Sequence, residues 1–342
     1  MFSKIMRTIP VIHSFDSNYV LPACVCFQSL LEHADTANAR YALHVIGNIP
    51  VCDQEKLKSI VAKFPNATLD FLQPPPLPIS SDVLPKSGHY SIDLYQKLAI
   101  PNLYPEYDKA IVADVDVVYQ DDIAKVFDAS PSDGKHLVSG VWDLGYAAWH
   151  RKGLFPSGKP LIKKYARLYS AEELDRLRIG AGLLVYDMKG LREGDWPLKW
   201  SKFAQTNAQR AILPEQEAIN LTLEDKIRIL PLGFMAIAEH ASTYDRMTAE
   251  LRNSNPSWDE MYAAPVQMHY ASKIKPWKFP GCSRSELWFD ACMRAGAIEN
   301  WRRWYGAFSR PMIENFLAKR IFRISAGRFD LTLLKKRKSY HA

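Results

Sequence analysis

No stretch of the 342 residues approaches the roughly 18 consecutive apolar positions of a membrane-crossing helix, so none is expected. The start, Met1-Phe2-Ser3-Lys4-Ile5-Met6-Arg7, lacks the apolar core and small-residue cleavage site of a secretory signal. Cysteine is scarce: Cys24, Cys26, Cys52, Cys282 and Cys292 are odd in number, scattered, and form no C-x-x-C pair. That spacing argues against a disulfide framework or a zinc site and fits reduced core thiols in a cytoplasmic protein. No internal repeat and no RNA- or DNA-binding motif occurs, so nucleic acid is not an expected partner.

Charge of one sign is also missing from most of the chain. The net +7 is concentrated after Trp301, where eleven Lys/Arg face only Glu314 and Asp330, leaving 33 basic and 35 acidic residues before it. A nearly neutral body over residues 1–300 therefore carries a basic tail over residues 301–342. At 47% hydrophobic and 24% charged residues, the body has the composition of a globular domain with an adequate core.

Strand and helix patterns alternate along that body. Ile9–Phe15, Tyr41–Ile46 and Ala67–Leu72 read as strands, with a helix over Tyr19–His33 and another capped by Asp53 and running to Phe64. Gln73-Pro74-Pro75-Pro76-Leu77-Pro78 must be a loop, because consecutive prolines feed neither a ladder nor a helix. Ile92–Leu103 returns to helical spacing, Val138–Trp142 and Gly182–Tyr186 read as further strands, Gly153–Pro160 as loop and Lys163–Arg178 as helix. This alternation implies an α/β fold with a mostly parallel central sheet covered on both faces.

The most informative segment is Lys109–Tyr119, an apolar strand pattern interrupted by Asp114-Val115-Asp116. On a strand, positions i and i+2 point the same way with Cα atoms about 6.5 Å apart, so both carboxylates can close on one hard cation. Two crowded carboxylates are costly unless something positive sits between them, and a metal carrying a diphosphate meets that need. At the carboxyl end of a central strand, they also occupy the crevice where open α/β sheets bind ligands. Far downstream, Gln267-Met268-His269 offers an imidazole, a suitable third ligand for a borderline divalent ion such as Mn2+. Lys275, Pro276 and Trp277 follow six to eight residues later, with Lys275 able to reach a diphosphate oxygen on a loop stiffened by Pro276.

In this order and spacing the chain resembles family 8 glycosyltransferases, the retaining group containing bacterial lipooligosaccharide α-galactosyltransferases and glycogenin. The resemblance runs over roughly residues 8–280 through Asp16-Ser17-Asn18-Tyr19, Tyr95-Gln96-Lys97-Leu98, Asp114-Val115-Asp116, Asp143, Gly180-Ala181-Gly182, Glu215-Gln216-Glu217 and His269 through Trp277. It implies a single GT-A type, Rossmann-like nucleotide-sugar-binding domain. It further implies Mn2+, or Mg2+, held by Asp114, Asp116 and His269. Asp16, Asn18 and Tyr19 match positions that hold uracil and ribose, Lys275 the lysine on the diphosphate, and Lys97 a basic residue near the donor sugar and phosphate. Asp143 and Glu215 match acids on the donor sugar, and Gln216 the glutamine beside the anomeric carbon. The donor implied is UDP-galactose or UDP-glucose, and the acceptor a saccharide, by analogy a lipid-linked one such as lipopolysaccharide core. Three positions depart from the bacterial pattern: Gly180 replaces an asparagine, and Glu215 and Glu217 replace aspartates, which leaves galactose and glucose both open.

In the tail, apolar residues at 313, 316, 317, 321 and 324 have helical spacing beside Lys319, Arg320 and Arg323. With Trp301, Trp304, Tyr305 and Phe308 upstream and Lys335-Lys336-Arg337-Lys338 downstream, this suits an anionic membrane surface. The expected location is cytoplasmic, on the inner face of the cytoplasmic membrane. Two other readings compete. Ile111–Val118 formally fits the first motif of haloacid-dehalogenase-type phosphatases, although that motif normally opens a chain. A catalytically retired sugar-nucleotide-binding relative would keep the fold without turnover.

Overall fold

A computed structural model describes residues 6–76, 95–143, 165–253 and 256–319. The strands are β1 (Arg7–Ser14), β2 (Ala39–Ile46), β3 (Ala67–Leu72), β4 (Lys109–Ala113), β5 (Val117–Tyr119), β6 (Val138–Trp142), β7 (Ile179–Asp187), β8 (Ile227–Leu230), β9 (Met235–Ile237) and β10 (Gln267–His269). Seven form a sheet in the order β3-β2-β1-β4-β7-β6-β8, and the other three a small sheet in the order β5-β10-β9. β3-β2-β1-β4 is all parallel, β6 and β8 are parallel, and β7 runs antiparallel to both its neighbours.

The apolar runs of β1, β2, β4 and β7 are buried nearly throughout, as strands covered on both faces must be. One face packs Ile9, Val11, Leu43 and Ile111 against the Val20–Glu32 and Val51–Val61 helices and the Ser285–Arg294 helix. The other packs Ile12, Val112, Leu184 and Tyr186 against the Gln96–Leu103, Trp196–Asn207 and Pro214–Leu223 helices. At the end of β2 the chain passes so close to β1 that a Cβ on Gly47 would lie 2.0 Å from Phe15 O, so only glycine fits there.

Sheet order locates the site. From β1 the chain moves outward to β2 and β3, then returns to β4 on the opposite side of β1. Between the carboxyl ends of β1 and β4 the connections diverge, which opens a crevice. Asp16–Tyr19 leave the end of β1 and Asp114–Asp116 the end of β4.

Several local expectations need correction. Lys109–Tyr119 is two strands in two sheets: Asp114 N still donates to Gly182 O (3.1 Å), then the chain bends into the small sheet, where Tyr270 N donates to Asp116 O (3.0 Å). The carboxylates therefore sit on a bend, and the pleat of a single strand does not align them. Asp53 lies in the first turn of a helix entered through Pro50, where it pairs with Lys56. Within Lys163–Arg178, Lys163 and Lys164 lie outside the described residues, Ala166–Tyr169 form turns, and a helix spans Ala171–Arg176, started by the capping box of Ser170 and Glu173. Strand β7 extends the expected Gly182–Tyr186 by several residues at its start. The loop expected over Gly153–Pro160 lies outside the described residues, as do Leu77, Pro78, the start of the helix expected from Ile92, and residues 320–342 of the tail. The helix Ile298–Lys319 begins before Trp301, and Trp301 and Trp304 pack against the main core. Among the described residues no helix is long and apolar enough to cross a membrane.

Candidate active site

Asp114, Asp116 and His269 come together as the sequence suggests. One ligand atom from each lies within 4.8 Å of the others. The register explains the meeting: β10 runs antiparallel to β5 with His269 opposite Val117, which puts the imidazole beside Asp116. His269 Nε2 is 3.3 Å from Asp116 Oδ1 and 3.6 Å from Asp114 Oδ2. Its ring lies against the backbone of β7, where a Cβ on Gly182 would be 2.4 Å from Cε1 and 2.6 Å from Nδ1. The third residue of Gly180-Ala181-Gly182 is thus required by packing against the imidazole.

Two lysines supply the positive charge that the paired carboxylates need. Lys97, fully buried at the start of its helix, bonds Asp114 and donates to Ala181 O (3.0 Å). Lys275 donates to Asp116 Oδ2 (2.5 Å) and to Tyr270 O (2.5 Å). Burial opposes charge on Asp116, but the Lys275 ammonium and His269 outweigh it and hold the carboxyl well below the usual range. The same attractions raise Lys97, Lys275 and His269 above their ordinary values despite burial. Two carboxylates and an imidazole nitrogen are a donor set that fits a borderline divalent ion. Asp114, Asp116 and His269 are the residues that would hold such an ion, with Lys97 and Lys275 against the two carboxylates.

Around this centre the other expected residues divide into three groups. Asp16 accepts from Asn18 N (2.8 Å) and from Asn18 Nδ2 (3.3 Å), closing the turn after β1. The Tyr19 and Trp277 rings meet in a T-shaped contact with centroids 6.0 Å apart, so the Asp16–Tyr19 turn and the Lys275–Trp277 segment face each other. On the side of the Pro214–Leu223 helix, Gln216 Oε1 accepts from Ala181 N (2.9 Å) and Nε2 donates to Asp143 Oδ2 (3.2 Å). Glu215 is buried, and among the described residues its Oε2 has no hydrogen-bond partner. Burial pushes its carboxyl up to about 7 although the charge of Lys97 pulls the other way. Glu217 serves a different purpose: it accepts from Ile212 N and Leu213 N (both 2.9 Å to Oε1) and from Tyr169 OH (2.6 Å). It anchors the start of its own helix.

Sequence reasoning passed over His13, which is completely buried on β1 and shares a 2.8 Å hydrogen bond between its Nδ1 and Ala113 O, at the residue before Asp114. Burial lowers it to about 4, so it stays neutral and donates to that carbonyl, holding β4 where it turns off. Nothing in its sequence context, a histidine within an apolar run, distinguishes it.

The sequence profile described as glycosyl transferase family 8 matches residues 10–280. The chain belongs to that family. No match was found among curated proteins. Solved structures agree on the fold. WbbM, a bifunctional glycosyltransferase, is 22% identical with a TM-score of 0.62, over 85% of this chain and 50% of its own. This chain therefore spans half of WbbM. The galactosyltransferase LgtC, solved with donor and acceptor sugar analogs, is 19% identical with a TM-score of 0.59, over 84% of this chain and 96% of its own. GlyE of Streptococcus pneumoniae TIGR4 is 15% identical with a TM-score of 0.57, covering 87% and 64%. At such identities the likeness is one of fold, the GT-A-like arrangement expected for family 8. Family membership leaves the phosphatase reading of Ile111–Val118 without support.

Proposed function

We propose that this family 8 enzyme transfers galactose or glucose, with retention, from a UDP-sugar to a saccharide acceptor of a lipid-linked cell-surface glycan such as lipopolysaccharide. The observation that carries the reading is the buried cluster of Asp114, Asp116 and His269 with Lys97 and Lys275 against it. Asp114, Asp116 and His269 would hold Mn2+, or Mg2+, which when bound supplies Lewis-acid neutralisation of charge on the departing diphosphate.

The chain's own residues then have separate tasks. Asp16, Asn18 and Tyr19 receive the uracil and ribose, with Tyr19 in T-shaped contact with Trp277. Lys275 leaves Asp116 to bind diphosphate oxygens as a point charge. Lys97 stays buried and orients Asp114 from behind while facing the donor's sugar end. Asp143 and Glu215 hold sugar hydroxyls.

Gln216 lies with its amide already fixed, its oxygen accepting from Ala181 N. An amide oxygen spent on a backbone donor is a weak nucleophile, which favours attack by the acceptor hydroxyl from the leaving-group face. The β-phosphate oxygen takes the acceptor's proton in that scheme, and Gln216 stabilises positive charge developing at the anomeric carbon. Glu217, occupied by two backbone amides and Tyr169, is a poor alternative nucleophile. A sugar adduct recovered on Gln216 by mass spectrometry would contradict this scheme.

Residues 1–300 form the catalytic body in this reading, and residues 301–342 bind an anionic membrane from the cytoplasmic side. Exposed Arg302, Arg303 and Arg310 on the Ile298–Lys319 helix support it. Titration calorimetry tests the donor site: UDP should bind with Mn2+, lose most of its affinity in EDTA, and do the same when Asp116 is changed to Asn. Sedimentation with anionic vesicles tests the tail, with binding expected at low salt and release at about 0.5 M salt, where the Debye length is only a few ångströms.

A further inference from the structure

The segment that carries Lys275 is a tight turn with its own supports. Lys278 N and Phe279 N both donate to Lys275 O, at 2.9 and 2.8 Å. One carbonyl of the turn, Trp277 O, accepts from Trp301 Nε1 at 3.1 Å, a donor 24 residues away in the first turn of the C-terminal helix. Rings reinforce that link. Tyr19 meets Trp277, Trp277 meets Trp288 at 5.8 Å, Trp288 meets Phe289 at 5.1 Å, and Phe289 meets Trp301 edge-on at 4.7 Å. Trp301 therefore reaches the turn directly through its N–H and indirectly through a chain of rings, Phe289 and then Trp288, that ends on Trp277. Trp304, one turn on, stacks on Phe308 at 5.0 Å.

We propose that Trp301 is a positioning residue for the Lys275–Trp277 turn, so that seating of the Ile298–Lys319 helix sets the affinity for a nucleoside diphosphate. This rests on the reading of Lys275 as the lysine that receives the diphosphate. Indole suits the task because it is large, rigid and only a donor, so it can reach a backbone carbonyl from a neighbouring helix. Phenylalanine at 301 would keep an aromatic ring against Phe289 while removing the hydrogen bond, and W304F matches the accompanying loss of indole volume. The loss of one neutral hydrogen bond that fixes a binding loop should cost about three- to tenfold in affinity. Coupling between two sites is reciprocal, so nucleotide at the turn must also steady the start of the helix.

The test uses the full chain and UDP with Mn2+. Titration calorimetry should show W301F binding UDP about three- to tenfold more weakly than the parent, with W304F binding as the parent does. Hydrogen exchange on the unaltered protein should show UDP with Mn2+ slowing amides at 298–303 together with those at 275–279. Unchanged UDP affinity in W301F, or equal weakening in W301F and W304F, overturns the proposal. If W301F does not fold, exchange on the parent decides, and no slowing at 298–303 on UDP binding overturns it. A parent chain that binds no UDP defeats the donor-site reading and this proposal with it, whereas binding that W301F leaves unaltered defeats this proposal alone.

Discussion

Replacing Gly182 by alanine should disable the metal centre while leaving the fold standing. A Cβ at this position would lie 2.4 Å from His269 Cε1 and 2.6 Å from Nδ1, with Asp114 Oδ2 at 3.4 Å. Ordinary contact begins near 3.4 Å, so the ring must withdraw by about 1 Å or β7 must move by as much. Neither shift is cheap, because His269 sits on β10 between β5 and β9 and Gly182 lies in the middle of the large sheet. Overpacking of this kind costs about 1–3 kcal/mol of stability. The effect on a metal is larger, since coordination tolerates errors of only about 0.2 Å in ligand distance. Gly182→Ala should therefore lower Tm by several degrees and weaken Mn2+ binding in the presence of UDP by about tenfold or more. Gly180→Ala is the matched control, because its Cβ would meet Asp143 Oδ2 at an ordinary 3.4 Å. Manganese titration followed by electron paramagnetic resonance measures both. Parent-like Mn2+ affinity in Gly182→Ala would refute the claim that the imidazole is held against this glycine to serve as a ligand.

Other consequences concern charge. Lys97→Met removes a buried ammonium and leaves Asp114 with less compensation, at a cost of order 3 kcal/mol. Because a divalent ion can replace that charge, Mn2+ should raise the Tm of this variant more than that of the parent, by differential scanning fluorimetry. Glu215 is pushed up to about 7 from an ordinary 4.5 by burial, so folding favours its protonated form. It therefore contributes stability that is complete below about pH 4.5 and is lost as pH rises through 7, about 3 kcal/mol in all. Glu215→Gln should flatten urea-derived stability between pH 5 and pH 8, and an unchanged slope would count against burial as the cause of the raised carboxyl. Glu217→Gln should act on stability, since its carboxylate accepts two backbone amides and Tyr169. Its loss of about 1–3 kcal/mol should appear in urea melts with UDP affinity little changed.

How far the sequence was legible depends on whether a feature is local. β3 over Ala67–Leu72 and β6 over Val138–Trp142 follow from short apolar runs with clear ends, and the structure has the same bounds. The D-x-D, the histidine and the lysine were legible as a set, because their chemistry is specific even though their spacing in sequence is long. The break of Lys109–Tyr119 into β4 and β5 was not, since the apolar pattern continues while the chain changes sheets. That change is dictated by Gly182 O on one side and Tyr270 N on the other, partners far away in sequence. The same holds for Lys97 against Asp114 and for Trp301 against Trp277. Glu217 shows the opposite failure: a carboxylate within a recognised motif turned out to anchor a helix start.

UDP release from a panel of UDP-sugars, with Mn2+ and with EDTA and without any acceptor, tests the central claim most directly. The account predicts slow, Mn2+-dependent hydrolysis of UDP-galactose or UDP-glucose, abolished in Asp114→Asn and Asp116→Asn. Binding of UDP with Mn2+ but no release from any UDP-sugar, even with lipid-linked saccharides supplied, would mark a chain that has kept the site and lost the reaction. Absence of UDP binding with either metal would contradict the assignment of Asp114, Asp116, His269 and Lys275 to a nucleotide-sugar site.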